Sequence, residues 1–258
     1  MRRTELIMGM PITVVIPDRE RQDSLPGTVK FPTTESAALA VFDYFRGIDE
    51  QFSPYKPESE TCRIDCGELA PGSASPEMRE VLFLSEETQK LTGGYFDVWF
   101  QGRFDPSGLV KGWAITHAAQ ILEDDGFISF CIEAGGDIEV RGANEEAKPW
   151  VIGLRSPFDP EKLTHRLLLQ NRGIATSGTY IRGEHIYNPR TGERANEIAS
   201  LSVIGPNVFE ADLLATAVFA MGASGIEFMA RLPEFDACMI GWDDVATFTS
   251  GFAGHLVP

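Results

Sequence analysis

Residues 127–141 read FISFCIEAGGDIEVR, and this stretch decides the fold class. Two runs, 127–132 and 138–141, are rich in Phe, Ile, Cys and Val and flank Ala134-Gly135-Gly136-Asp137. Glycines permit the backbone conformations of a tight reversal. The stretch therefore reads as two strands around a turn. Upstream lies a helix over residues 109–125, with Ser107 able to cap it and Gly126 closing it. Before that, Ser75-Pro76 opens a helix ending at Gly93-Gly94, with Val81, Leu82, Leu84 and Leu91 on its buried side. Residues 51–72 are polar, hold three prolines, and read as a loop. A helix over 35–50 carries Ala38, Val41, Phe42, Phe45 and Ile48 at helical spacing, capped by Thr33 or Thr34. Residues 12–16, ITVVI, read as a strand.

Downstream, strands are expected at 150–154, 163–169, 174–176, 201–204 and 237–241. The last clear helix spans 208–221. Asn207 caps it with Glu210 three residues on, and Gly222 stops it. Hairpin-like strand pairs with separated helices describe an α+β domain. The 258 residues, 43% hydrophobic, suffice for one core or for two lobes sharing one.

The net charge of -16 is spread along the chain. Such a surface repels phosphate backbones and argues against nucleic acid. An anionic ligand would need local cations, loop amides or a metal. Of the four cysteines only Cys62 and Cys66 are close, and without metal-ligand spacing, so reduced thiols are expected rather than zinc. No apolar segment of signal-peptide or membrane-span length occurs, which points to a cytoplasmic, soluble protein.

Three stretches hold polar groups that packing alone does not require. Asp105 and Lys111 bracket a helix start, where free amides favour anions and a cation is unfavourable. A solvated surface lysine and a lysine kept to meet an anionic ligand both fit. Asp212 and Thr216 are the polar exceptions in an apolar helix after its first turn, four residues apart on one face. They could ligate a hard cation such as Mg²⁺, or be a dipole-favoured Asp with a Thr bonded to its own helix. After the small residues 175–178 comes His185, a usable general base near neutral pH or part of a capped turn.

Taken in order, DPSGLVKGWA (105–114), AGGD (134–137), ATSGTY (175–180), HIYNPRTG (185–192) and ADLLATA (211–217) resemble the ApbE family of FAD:protein FMN transferases. The resemblance runs from Met8-Gly9 to about Gly222. It implies a single T-fold-like α+β domain over residues 1–258, with mostly antiparallel sheets, flanking helices and an FAD groove. It implies Mg²⁺ as cofactor, FAD as substrate and a partner flavoprotein whose Ser or Thr accepts FMN. The implied metal ligands are Asp212, Thr216 and the Gly108 carbonyl. The implied flavin contacts are Met8, Tyr55, Tyr95, Phe96, Asp97, Asp105, Lys111 and Ile186, and the implied catalytic base is His185. Two departures stand out. Only residues 98–104 separate Asp97 from Asp105, where many relatives have more chain. Ala215 stands where some relatives carry a second aspartate. Two other outcomes compete with transfer: FAD hydrolysis to FMN and AMP, and a carrier that binds FAD without cleaving it.

Overall fold

The computed structural model describes residues 1–17, 32–159, 161–178 and 186–258. The chain opens with strands β1 (Arg2–Ile7) and β2 (Met10–Val15), then helices α1 (Thr34–Phe52), α2 (Glu60–Asp65) and α3 (Pro76–Leu91). A small hairpin of β3 (Trp99–Phe100) and β4 (Arg103–Phe104) leads into helix α4 (Ser107–Asp124). Five strands follow: β5 (Phe130–Ala134), β6 (Asp137–Arg141), β7 (Trp150–Arg155), β8 (Leu163–Leu169) and β9 (Arg172–Gly178). The rest comprises β10 (Ser200–Gly205), α5 (Val208–Ala220), α6 (Gly225–Met229), β11 (Asp236–Ile240) and β12 (Ala246–Phe248).

Eight strands form one sheet in the order β1-β2-β5-β6-β9-β10-β11-β12, and every neighbouring pair is antiparallel. The helices lie on one face, and the β7–β8 hairpin and the C-terminal turn on the other. Strand alternation explains how one sheet serves both cores. Phe130, Ile132, Leu201 and Val203 join the helical core, whereas Cys131, Val140, Ile204 and Cys238 join the hairpin core. β10 is buried at all six positions, as a central strand covered on both faces must be. β7 alternates buried and exposed, presenting Trp150, Ile152 and Leu154 inward.

The 127–141 reading holds as a hairpin, with Ala134 paired to Asp137 and positive φ at Gly135 and Gly136 (59° and 98°). Thr33, Ser75 and Asn207 cap α1, α3 and α5 through their side chains. Several expectations need correction. Residues 51–72 are not all loop, because α2 lies within them, capped by Ser59. Its six residues bury only Thr61 and Ile64, too few to display a helical period. Ser107 is the first helical residue, not the cap. Pro106 holds the cap position without a side-chain bond, and the Asp105 carboxylate accepts the Ser107 N–H at 2.9 Å. The buried side of α3 runs through Met78, Val81, Ser85 and Thr88, while Leu91 is 59% exposed. Ser85 and Thr88 bury at little cost because their hydroxyls donate to the carbonyls of Leu82 and Leu84, at 2.8 and 2.7 Å. After Gly222 the chain adds the five-residue helix α6, which the sequence reading did not place. Strand β1 has no counterpart in the sequence reading, its alternation being masked by charged residues.

Candidate functional site

The second and third turns of α4 meet the start of α5 over the sheet, and glycine lets them. A Cβ at Gly112 would lie 2.8 Å from the Asp212 Cβ and 3.0 Å from the Phe209 Cα. With hydrogen there instead, the Gly112 N–H donates to Asp212 Oδ2 at 3.0 Å. The start of α5 in turn presses on the sheet at Gly173, where a Cβ would come 1.9 Å from the Val208 nitrogen. That nitrogen donates to Glu139 Oε2 at 2.5 Å, and the Phe209 N–H reaches the Thr116 hydroxyl of α4 at 3.3 Å. Orphan amides at the α5 N-terminus are thus met by β6, by α4 and by the Asn207 cap.

β6 sends Asp137 and Glu139 into this junction, two residues apart on one face. Both are buried. Glu139 pairs with Arg141. Burial nevertheless pushes its carboxyl up to about 7, outweighing Arg141 and the Val208 N–H. Asp137 Oδ1 accepts the Thr176 N–H at 3.1 Å. Its Oδ2 lacks an aligned hydrogen bond and has the Lys111 ammonium as charge partner. Lys111 also lies 3.4 Å from Asp212 Oδ1, with its side chain 16% exposed. It is therefore not a solvated surface lysine but the shared cation of two buried aspartates. Burial raises the Asp212 carboxyl above the usual aspartate range, and Asp137 adds to this while Lys111 and the Gly112 N–H oppose it.

Thr216 is the one residue from 211 to 220 that is not buried. Its Cγ2 and the Phe96 ring both lie 3.7 Å from where a Gly108 Cβ would be. Gly108, Thr216 and Phe96 are thus brought together, and Asp212 sits one turn from Thr216 on α5. Among the described residues no three His, Cys, Asp or Glu side chains gather as metal ligands. A cation here would take one carboxylate with hydroxyl and carbonyl oxygens, the donor set of Mg²⁺. With both ionised, the two buried carboxylates against one ammonium also leave a net negative charge. The residues fit a hard cation on both counts.

Of the other expected contacts, Tyr95 belongs to a rim made by residues 94–104 and 186–195. Met8 sits half-buried at the β1–β2 turn with φ of 55° and packs on the helical core. Phe96 is buried. Asp97 Oδ1 accepts the Trp99 N–H at 2.8 Å, and the Asp105 N–H donates to the Val98 carbonyl at 2.9 Å. Tyr95 carries the Arg190 guanidinium 4.9 Å over its ring. The short segment 98–104 is the β3–β4 hairpin, turned through Gln101 and Gly102 at φ of 50° and 77°. Its Phe100 stacks on Tyr187 at 5.0 Å. Ile186 is buried in the helical core. Tyr55 lies apart from these contacts, 90% exposed after α1. His185 lies outside the described residues.

Sequence reasoning missed Asp137 and Glu139 as site residues. The signal was present: two acids alternating on the inward face of a strand whose neighbours are apolar. Their partners, Lys111 and the start of α5, are distant in sequence, which hid their role.

A family-wide sequence profile, described as the ApbE family, matches residues 8–102 and 100–239. The FAD:protein FMN transferase of Klebsiella pneumoniae (strain 342) is 30% identical over 137 residues, 49% of this chain and 39% of that protein. That of Escherichia coli (strain K12) is 30% identical over 146 residues, 53% of this chain and 42% of that protein. These matches span about two fifths of the relatives' length. The flavin transferase ApbE from Vibrio cholerae has the same fold, with a TM-score of 0.84 at 21% identity over 99% of both chains. The ApbE protein of Thermotoga maritima gives 0.83 at 19% identity, over 100% of this chain and 99% of that one.

Proposed function

The chain belongs to the ApbE family, and on that premise we propose that it is a Mg²⁺-dependent FAD:protein FMN transferase. The observation that carries this reading is the α4–α5 junction, where Asp212, Thr216 and Gly108 offer hard oxygen donors beside the Lys111 ammonium. Its relatives' names supply the reaction class.

In the proposed reaction an acceptor Ser or Thr hydroxyl attacks the flavin-side phosphorus of FAD. A new phosphoester bond forms, the pyrophosphate P–O bond breaks, and AMP leaves with that electron pair. His185 takes the hydroxyl proton. Lys111, held by Asp137, adds positive charge beside the start of α4, where the helix amides also favour anions. A Mg²⁺ held by Asp212, Thr216 and the Gly108 carbonyl supplies Lewis-acid neutralisation of phosphate charge. Met8, Tyr95, Phe96, Asp97, Asp105 and Ile186 line the flavin groove, and Tyr55, exposed after α1, meets the flavin from outside those contacts.

The test is incubation with FAD, Mg²⁺ and a candidate acceptor domain, followed by mass spectrometry. Transfer gives an acceptor heavier by one FMN. Free FMN and AMP without adduct would mean hydrolysis, and intact FAD would mean a carrier. His185→Ala is expected to stop transfer while FAD still binds; full transfer by that variant would remove His185 as the base. Asp212→Ala is expected to abolish Mg²⁺-dependent turnover, and activity indifferent to both the substitution and chelators would end the metal assignment.

A further inference from the structure

We propose that Asp137 is a positioning residue that holds the Lys111 ammonium away from Asp212 and so keeps the Asp212 carboxylate open to a cation. The inference rests on the metal reading above and adds a residue to which that reading gives no role.

Three observations support it. Lys111 faces two carboxylates and lies directly against Asp137, while Asp212 Oδ1 is the longer contact at 3.4 Å. Asp137 cannot follow Lys111 elsewhere. It is 1% exposed at the start of β6, and its other oxygen takes the Thr176 N–H of β9. Thr176 is tied in turn to Ser202 of β10 at 2.8 Å between hydroxyls. Asp212 is held as firmly, by the Gly112 N–H at 3.0 Å. The mobile member is the lysine, a flexible stem with a point charge. Between two fixed anions it settles on the nearer one. Without the charge on Asp137 the ammonium would fall wholly to Asp212, competing with any cation for the same oxygen.

This gives a coupling that a merely structural role would not produce. Removing the Asp137 charge should harm cation binding only while Lys111 is present. The probe is Mn²⁺ alone, with free ion followed by electron paramagnetic resonance in titrations of the full chain. Asp137→Asn is expected to weaken Mn²⁺ binding about tenfold or more, as moving a unit charge by a few ångströms in a partly buried site should. Lys111→Met added to it is expected to bring the affinity back to within about threefold of the unsubstituted chain, whereas the two effects would simply add if the sites were independent. Thermal unfolding of each variant shows whether the fold is kept.

Unchanged Mn²⁺ affinity in Asp137→Asn would overturn the inference. So would a double variant as weak as Asp137→Asn alone. Asp212→Ala separates this failure from that of the metal reading. If Asp212→Ala loses Mn²⁺ and Asp137→Asn keeps it, only the role of Asp137 falls. If Asp212→Ala and the unsubstituted chain bind Mn²⁺ alike, the metal assignment falls and takes the inference with it.

Discussion

The α4–α5 junction and the rim around residues 94–104 and 186–195 hold side chains by opposite means. At the junction, backbone meets backbone through glycine, and buried charges are met by amides and by one ammonium. At the rim, half-exposed rings do the work: Phe100 on Tyr187 at 5.0 Å, Arg190 over Tyr95 at 4.9 Å and Arg194 over Tyr187 at 5.8 Å. A close-packed joint has no room to yield, because a shift of a few tenths of an ångström meets backbone atoms. Stacked rings at a surface can slide at small cost. The junction therefore holds its side chains in one geometry, whereas the rim can adjust.

If that contrast holds, the largest effect should come from Gly173→Ala. Its methyl would sit 1.9 Å from the Val208 nitrogen, a backbone atom that cannot rotate away. Overpacking of this kind costs about 1–3 kcal/mol and more where backbone must move. We expect the upper end of that range in urea unfolding. A loss under about 0.5 kcal/mol, the size of an ordinary surface change, would show that the start of α5 floats on the sheet.

Glu139→Gln should have an intermediate effect that depends on pH. The folded carboxyl, near 7, lies above the ordinary value of 4.5. The protonated form therefore suits the fold better. Its stabilising contribution is full below about pH 4.5 and is lost as pH rises through about 7. The unsubstituted chain should lose stability across that window, and Glu139→Gln, which does not ionise, should flatten part of the fall. Asp212, shifted in the same direction, keeps the remainder. Unfolding midpoints at several pH values compare the two slopes, and parallel slopes would mean that Glu139 is ionised in the fold at little cost.

The smallest effect belongs to the rim. Phe100→Ala should cost about 1 kcal/mol, the worth of one aromatic pair beyond its burial, and Phe100→Tyr should restore most of it. A loss as large as that of Gly173→Ala would erase the difference between the two regions.

Much of the framework was legible locally. Thr33, Ser75 and Asn207 announced their helices, and short β-branched or apolar runs announced most strands of the large sheet. Residues 60–65 were misread because a helix of six residues shows less than two turns of period. Leu91 was misplaced because apolar character does not say which side of a helix end meets the core. At the site, Asp212, Thr216 and Lys111 stood out as polar groups in unexpected places, but their partners did not. Gly112 and Asp212 are a hundred residues apart, and Glu139 and Val208 sixty-nine.

By itself the sequence determined the helix starts, the place of most strands and the kinds of oxygen and nitrogen atoms available at the site. Those follow from side-chain identity and short-range spacing. Tertiary structure alone decided that the residues 127–141 hairpin sends Asp137 and Glu139 under two helix N-termini, and that Lys111 stands between Asp137 and Asp212. Such placements depend on which distant segments pack together. Burial and charge pairing are properties of that packing and are not written in the local pattern of any one segment.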